Sequence, residues 1–506
     1  MKLKFILLTG ILLPVSLFAQ YAEDALRFSQ TEQGATARFK GLGNAQTALG
    51  GDISSLASNP AGIGLFTRSE LTFTPDFSNN KIDGKYLENT SFFQKDKAGI
   101  NQFGLVIFNP SKRYNKSDAT SGWLSYNFGI AYNKTNNFNN TTEYGGFNSK
   151  SSFGDYFADL ASKPDDQLAT NAYESYLIEN DPNTGYYPIT GLNNTQQNTV
   201  YRAGSQSELN FSLGWNHSNK MYFGASIGLA SLNYIADREF TESGLTLRKS
   251  DIDAQGLTVY DETKPYLNAG YKLSYQSNQE TKGSGANLKF GFIYRANKHI
   301  RFGVSLISPT WYSIDDTFSE GISTRYAKSN GSNEIKTKPT SEYQSAYTLR
   351  TPYRINGGLT FILGNIGLIC GDFELVDYSS ILFTTKTYET NKNVNKDIRN
   401  KYQAAVNYKI GTELKLNPML LRFGFNTTGN PYQNAEYTST SISAGLGYRV
   451  HNLSFDLAYS HISTDYNTSP YILSPDYRYY ASTGSGETAS INNVRNQVFA
   501  TIGFRF

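Results

Sequence analysis

The sequence predicts an all-β fold, a transmembrane antiparallel β-barrel; that it has about 14 strands and a small helical N-terminal plug in its lumen is implied by a resemblance given below. Three observations carry that reading. First, no run of about eighteen apolar residues follows residue 20, and mean hydropathy is −0.45, which excludes membrane-crossing helices. Yet the 506-residue chain holds 37 tyrosines and 32 phenylalanines, as expected if rings form girdles at two membrane interfaces. Second, residues alternate. Val494, Val498, Ala500, Ile502, Phe504 and Phe506 fall on one side of a strand, and Arg495, Gln497, Thr501, Gly503 and Arg505 on the other, a lipid face and a wet face. Leu453, Phe455, Leu457 and Tyr459 repeat the pattern, as do Leu209, Phe211, Leu213 and Trp215. Phe499 breaks it on the inward side, so the interior is not uniformly aqueous. Third, connections are sorted by length: long segments alternate with tight turns at Asn216 to Lys220, Asn297-Lys298, Gly364-Asn365, Asn417-Pro418 and His451-Asn452. A soluble sandwich has no reason to sort its loops in this way.

At the N-terminus, Lys2 and Lys4 precede an apolar run from Phe5 to Phe18, and Ala19-Gln20 offers a cleavage point. Residues 1–19 therefore read as a secretory signal peptide, with the cut open by a residue or two because Leu17 is bulky. Removing the two lysines brings the formal charge of +3 down by two, and a near-neutral chain gives no electrostatic basis for binding nucleic acid. Cys370 is the one cysteine, which excludes a disulfide framework and a paired-cysteine metal site and leaves a small apolar filler.

The stretch Arg38 to Phe66 combines small residues with helical spacing. Ala45, Ala48 and Leu49 form one apolar cluster and Ile53, Leu56 and Ala57 another, split by Gly50-Gly51, so two short helices are expected. Asp52 caps the second, and Pro60 biases Asn59 away from helical geometry and stops it. On the local pattern alone an ordinary soluble helix-turn fits equally well.

Gly41-Leu42-Gly43, then Asn59-Pro60-Ala61-Gly62 just before a long β region, with Arg422-Phe423-Gly424-Phe425, Asn430-Pro431 and a terminal strand ending in Phe506, resemble the FadL-like long-chain fatty-acid transporters. The resemblance implies a fourteen-stranded barrel in the bacterial outer membrane, with residues 20–68 folded inside it as a plug and 69–506 forming the wall. It implies uptake of hydrophobic compounds, with Gly50, Gly51, Asn59, Pro60 and Ala61 in the plug or gate. It also implies a kinked strand that releases cargo sideways; Asn109-Pro110 is the candidate kink, since proline removes a ladder hydrogen bond, and plain strand termination is the rival reading. Phe506 would be the signal read by the barrel-assembly machinery. Expected partners are a hydrophobic small molecule, outer-membrane lipid and lipopolysaccharide, with the chain a monomer.

Strands are expected at 69–79, 100–110, 122–137, 205–217, 220–236, 271–296, 299–315, 341–363, 366–385, 398–416, 419–428, 437–450, 452–464 and 491–506, the total of fourteen leaning on the resemblance where long segments are merged. The insertion 138–204 carries an expected helix from Pro164 to Ile178. The resemblance implies a cargo-capturing surface there; a solvated, variable cap fits as well.

Little else suggests chemistry. Gly224-Ala225-Ser226-Ile227-Gly228 matches the nucleophile-elbow pattern but lies within a continuous strand, where the exposed turn that pattern needs is missing. His217, His299, His451 and His461 have no ligand spacing to one another or to carboxylates, so no metal or cofactor is expected. Asp165-Asp166 and Asp315-Asp316 read as solvated loop pairs. The expectation is a non-enzyme. A general porin, a surface adhesin or receptor barrel, and a barrel-resident lipid hydrolase pairing Ser226 with His217 or His461 stay open as alternatives.

Overall fold

The computed structural model describes residues 15–111, 121–163, 166–259, 264, 266–327, 333–338, 340–474 and 486–506; the expected export signal lies, as far as residue 14, outside the described residues. Fourteen antiparallel strands make one wall. In order they are Glu70–Tyr86, Asn89–Ile107, Trp123–Asn137 continued by Asn140–Asn148, Asn194–His217, Met221–Leu245, Gly270–Arg295, and Ile300–Ile307 continued by Trp311–Ala327. There follow Ser341–Arg350 continued by Arg354–Ile362, Gly367–Asp377, Ala404–Leu416, Met419–Thr428, Tyr437–Val450, Leu453–Thr468 and Ala489–Arg505. The last strand pairs with the first, Arg505 opposite Glu70 and Ala489 opposite Tyr86. Closure is obligatory in lipid, where each unpaired backbone group costs several kcal/mol.

The alternation decides which side chain meets lipid. Along the first strand Leu71, Phe73 and Phe77 are exposed outward, while Thr72, Thr74 and Asp76 are buried inward. The final strand follows the expected split, with Val498, Ile502 and Phe504 outside and Phe499 fully buried against Ala37 and Ala458.

One end of the barrel carries tight turns between His217 and Met221, Leu416 and Met419, and Val450 and Leu453. The other carries the long loops, with two exceptions: the connection between Ile107 and Trp123 lies at the tight-turn end, and the first hairpin is short. The first two strands, expected to stop at 79 and start at 100, run on to a turn at Leu87-Glu88. Lys81, Asp83 and Lys85 point outward there, so a search for an apolar face misses strand that projects beyond the lipid. Two other expectations are corrected likewise. Asp315 and Asp316 sit in a wall strand, and the buried Asp316 carboxylate accepts hydrogen bonds from Gln279 and Thr281; residues expected to begin the strand at 398 instead end the helix Tyr388–Lys401.

The N-terminal segment occupies the lumen. It runs as helix α1 (Val15–Ser29), an extended stretch, helix α2 (Ala37–Gly41), a series of turns, and two 3-10 turns, Ile53–Leu56 and Pro60–Leu65. Wall glycines let it lie against the barrel. A Cβ added at Gly424 would stand 2.1 Å from the Gly43 nitrogen, one at Gly224 2.1 Å from the Pro60 carbonyl carbon, and one at Gly303 2.3 Å from the Thr47 oxygen. Gly411 meets Leu42, and Gly214 meets Ile63, in the same way. The long outer loop contributes α3 (Phe153–Ala161) and α4 (Gln167–Glu174). The latter is the core of the helix expected from Pro164 to Ile178; Pro164 and Asp165 lie outside the described residues, and Asp166 caps the helix by accepting the Ala169 N–H at 3.1 Å.

Replacing Gly424 with Val should leave a β-rich barrel whose gel mobility still shifts on heating, while exposing the lumen segment to limited proteolysis within residues 38–66. Unchanged protection of that segment would show that backbone contact with the wall does not hold it.

Candidate functional site

The wall's own N–H and C=O groups are used in its ladder, so the lumen segment draws its partners from inward side chains. Asn133 donates to the Gly34 oxygen at 2.9 Å, Gln206 to Phe28 at 2.9 Å, Asn127 to Ile63 at 2.7 Å and Arg354 to Ser29 at 2.6 Å. Asp372 accepts the Gln46 and Thr47 N–H groups at 2.7 and 2.8 Å. These bonds explain a correction: Ala45 to Leu49 is a run of turns rather than a helix, its amides turned toward the wall.

Gly50 and Gly51 both adopt left-handed backbone, φ 61° and 67°, and the Gly51 N–H reaches back to the Gly62 oxygen at 3.0 Å. A Cβ on Gly50 would meet Leu65 at 2.4 Å, so both the conformation and the space require glycine. Asp52 caps the next turn as expected, accepting the Ser54 N–H at 3.0 Å and the Thr36 hydroxyl at 2.8 Å. Asn59-Pro60 ends that turn and opens another. Asn59 accepts the Ala61 N–H at 3.2 Å, Pro60 takes the first position of the new turn, where its missing N–H is harmless, and the Asn59 amide donates to the Thr47 oxygen at 2.6 Å.

Charges hold the opposite side. Fully buried Arg422, flanked along its strand by the outward-facing Leu421 and Phe423, binds Glu413 at 2.7 Å and Asp456 at 2.6 Å. Arg38 from α2 joins the same Glu413 at 3.1 Å. The wall and the lumen segment therefore share one carboxylate, and neither guanidinium can be removed without leaving a buried charge short of a partner.

Above the segment lies a chamber of about 830 Å³. Its floor is Glu23, Asp24 and Arg27 of α1. Its roof is α3, the helix Tyr388–Lys401 and the stretch around Tyr471, and rings of Tyr144, Tyr156, Tyr234, Tyr275 and Phe318 line it. Phe153 of α3 stacks on the wall's Phe240 with centroids 4.4 Å apart, which docks the outer loop as a lid. Burial pushes the Asp24 carboxyl up to about 6 against the pull of Arg27, so the floor loses a negative charge in mild acid.

The ladder is interrupted where the third strand's continuation, whose Thr142 and Tyr144 line this chamber, leaves the second strand. The second and third strands pair only from Gln102–Ile107 to Asn133–Phe128, and the ladder stops above them although the second strand continues to Asn89. The third strand bulges at Thr135, its neighbour Gly204 takes φ 103°, and the continuation Asn140–Asn148 bends behind the first strand. There Asn80 donates to the Asn139 oxygen at 2.6 Å and Tyr86 packs on Tyr144. Asn109 and Pro110 are elsewhere: the second strand has ended at Ile107, and Pro110 forms an isolated bridge to Ser125. Phe506 closes the chain, its N–H on the Ser69 oxygen at 3.0 Å and its exposed ring stacked on Phe504. Ser226 faces the lumen within an unbroken strand, bonded to Ser212 at 2.7 Å. His461 is held by Asn496, and His217 lies edge-on to Trp123, so neither histidine serves Ser226.

Asn59→Ala removes a cap and strands the Thr47 oxygen, a cost of about 2 kcal/mol to the seating of the lumen segment. Single-channel recordings in planar bilayers should show more frequent ion-conducting openings than the intact protein, and deletion of residues 21–66 should give a permanently raised conductance. Equal conductance of the inserted deletion variant would remove the segment's role as a plug.

No family model and no curated protein sequence matches this chain. Solved structures do. A Pseudomonas aeruginosa FadL homologue superposes with TM-score 0.54 at 12% identity, over 94% of this chain and 98% of that one. The Pseudomonas putida toluene transporter TodX gives 0.50 at 13% identity, over 94% and 99%, and a mutant of the TodX monoaromatic hydrocarbon channel gives 0.51 at 14%, over 94% and 99%. At such identities the likeness is one of fold, and it spans nearly the whole of both chains: this protein has the plugged fourteen-strand barrel fold of the FadL-like channels.

Proposed function

We propose that the protein is an outer-membrane channel for uptake of hydrophobic compounds, which are captured in the outer chamber and released sideways through the wall. The observation that carries this reading is the interrupted ladder between the second and third strands, next to a ring-lined chamber above a filled lumen. A greasy molecule gains by moving between apolar surfaces and loses by crossing a hydrated pore. The segment beneath the chamber blocks the axial route, and the break offers a lateral one into lipid. The similar structures described as toluene and monoaromatic hydrocarbon channels support this class of cargo. The blocked axis also weighs against a general porin. A monomer set among lipopolysaccharide, inserted by the barrel-assembly machinery through its terminal Phe506, and exported by a signal ending near residue 19 completes the reading.

The kink is then the working part. Thr135 is the extra residue of the bulge, so its deletion preserves the pairing on either side, Lys134 with Ser207 and Asn136 with Gln206, while straightening the strand. The variant should insert normally, shift on heating as before, and lose most uptake of a lipophilic fluorescent tracer into cells. Uptake at the intact protein's rate by an inserted ΔThr135 variant would sink the lateral route.

A further inference from the structure

A second chamber, about 200 Å³, lies between the lumen segment and the wall strands Ala404–Leu416 through Ala489–Arg505. Its lining is more polar than that of the larger chamber. Ser441, Ser443 and Ser460 present buried hydroxyls linked at 3.0 and 3.4 Å, and Asn44, Asn426 and Gln497 add amides. A hydroxyl can turn its hydrogen, so such a lining suits an acceptor as readily as a donor.

The charges around it do not balance. Four cations line the chamber, Lys40, Arg354, Lys409 and Arg495, against two carboxylates, Glu32 and Glu374. Glu374 is taken by Arg354 at 3.0 Å, with Lys409 at 3.9 Å, and Glu32 is taken by Arg495. Lys134 nearby is taken by Asp76 at 2.7 Å. Lys40 is left over. It is 8% exposed, and among the described residues its ammonium has no carboxylate partner; the Phe499 ring lies 5.0 Å below it. A second cationic donor, Arg495 Nε, is buried without an acceptor. Leaving an ammonium buried and unpaired is costly, and an aromatic face compensates only in part.

We propose that this chamber is an anion site, in which a small inorganic anion held by Lys40 and the serine hydroxyls supplies the missing counter-charge and helps keep α2 seated. The proportions fit: the space exceeds a single water's share of about 30 Å³ several times over, enough for a halide with part of its hydration shell. Burial, helped by the neighbouring Arg495 and Lys134 and opposed by Glu32 and Asp76, lowers the Lys40 ammonium to about 8, so the lysine is charged in neutral or mildly acidic solution and needs its partner there. The location matters as well as the charge. Lys40 stands on the helix whose Arg38 shares Glu413 with the wall, so an anion at Lys40 and a carboxylate at Arg38 would clamp the two sides of one short helix.

Bromide is the probe. Crystals of the detergent-purified protein grown at pH 6 and soaked in sodium bromide should show an anomalous peak in this chamber, in contact with Lys40 Nζ. Heating in sodium bromide rather than sodium gluconate should raise the unfolding midpoint of the intact protein by several degrees, and Lys40→Met should abolish that difference. Should Lys40→Met insert poorly, the soak of the intact protein decides alone, with Ser460→Ala expected to weaken the peak. Absence of bromide from the chamber at pH 6, or a peak that persists unchanged in Lys40→Met, would overturn the site.

Discussion

Everything in this molecule depends on how a polypeptide can be held inside a barrel whose own backbone is paired along most of its wall. A closed sheet offers few free N–H or C=O groups, the bulged Thr135 oxygen being one, and a segment that fills the lumen brings its own unpaired groups with it. The wall answers with two kinds of residue. Asn, Gln, Arg and Asp side chains reach in to the segment's carbonyl and amide groups, as Asn133 does to Gly34 and Asp372 to Gln46 and Thr47. Glycines stand where the two backbones approach too closely for any Cβ, as at Gly224 and Gly424. The first kind supplies partners and the second supplies distance. Neither works without the other, because an amide side chain has a short reach.

That arrangement also divides the interior. The segment lies across the lumen, with tyrosine and phenylalanine rings above it and serine hydroxyls and cations beside it. A hydrophobic molecule resting among the rings would lose its favourable contacts on entering the hydroxyl-lined space. Under the proposed function, the division by itself would turn apolar cargo away from the axis, before any gate is considered. It also gives the polar compartment an electrostatic character of its own, with more cations than carboxylates to match them.

Much of the architecture was legible in the sequence because a barrel wall has period two and its loops are sorted by length. The inward Phe499, the cap at Asp52 and the bends at Gly50-Gly51 could all be read from single residues. What stayed hidden has a common cause: it depends on contacts between distant parts of the chain. Ala45 to Leu49 has helical spacing, yet the Asp372 carboxylate on a wall strand draws its amides outward. Strand that extends past the lipid loses its apolar face, so the hairpin at Leu87-Glu88 looked like a loop. Gly224-Ala225-Ser226-Ile227-Gly228 was recognisable as wall, but not that Gly224 is there for Pro60.

The kink shows the same limit most sharply. Proline is the residue by which a sequence usually announces a broken ladder, and Asn109-Pro110 drew attention for that reason. Here the break is flanked by two bulges, one extra residue at Thr135 beside the left-handed Gly204 and another at Asn101, opposite Thr74-Pro75 of the first strand. Neither is conspicuous alone; a bulge exists only in the comparison of two paired strands. The lumen segment is tied to both margins of the break at this level. Asn101 on the second strand donates to Ala35, Asn133 on the third donates to Gly34, and the Thr135 oxygen accepts the Glu32 N–H at 2.7 Å. A displacement of residues 32–35 must therefore strain or release bonds on the two edges of the gap together. On the lateral route proposed above, lumen segment and break would thus be parts of one mechanical unit, and a ligand that pulled on α1 from the chamber above would act on the wall through the stretch that follows it.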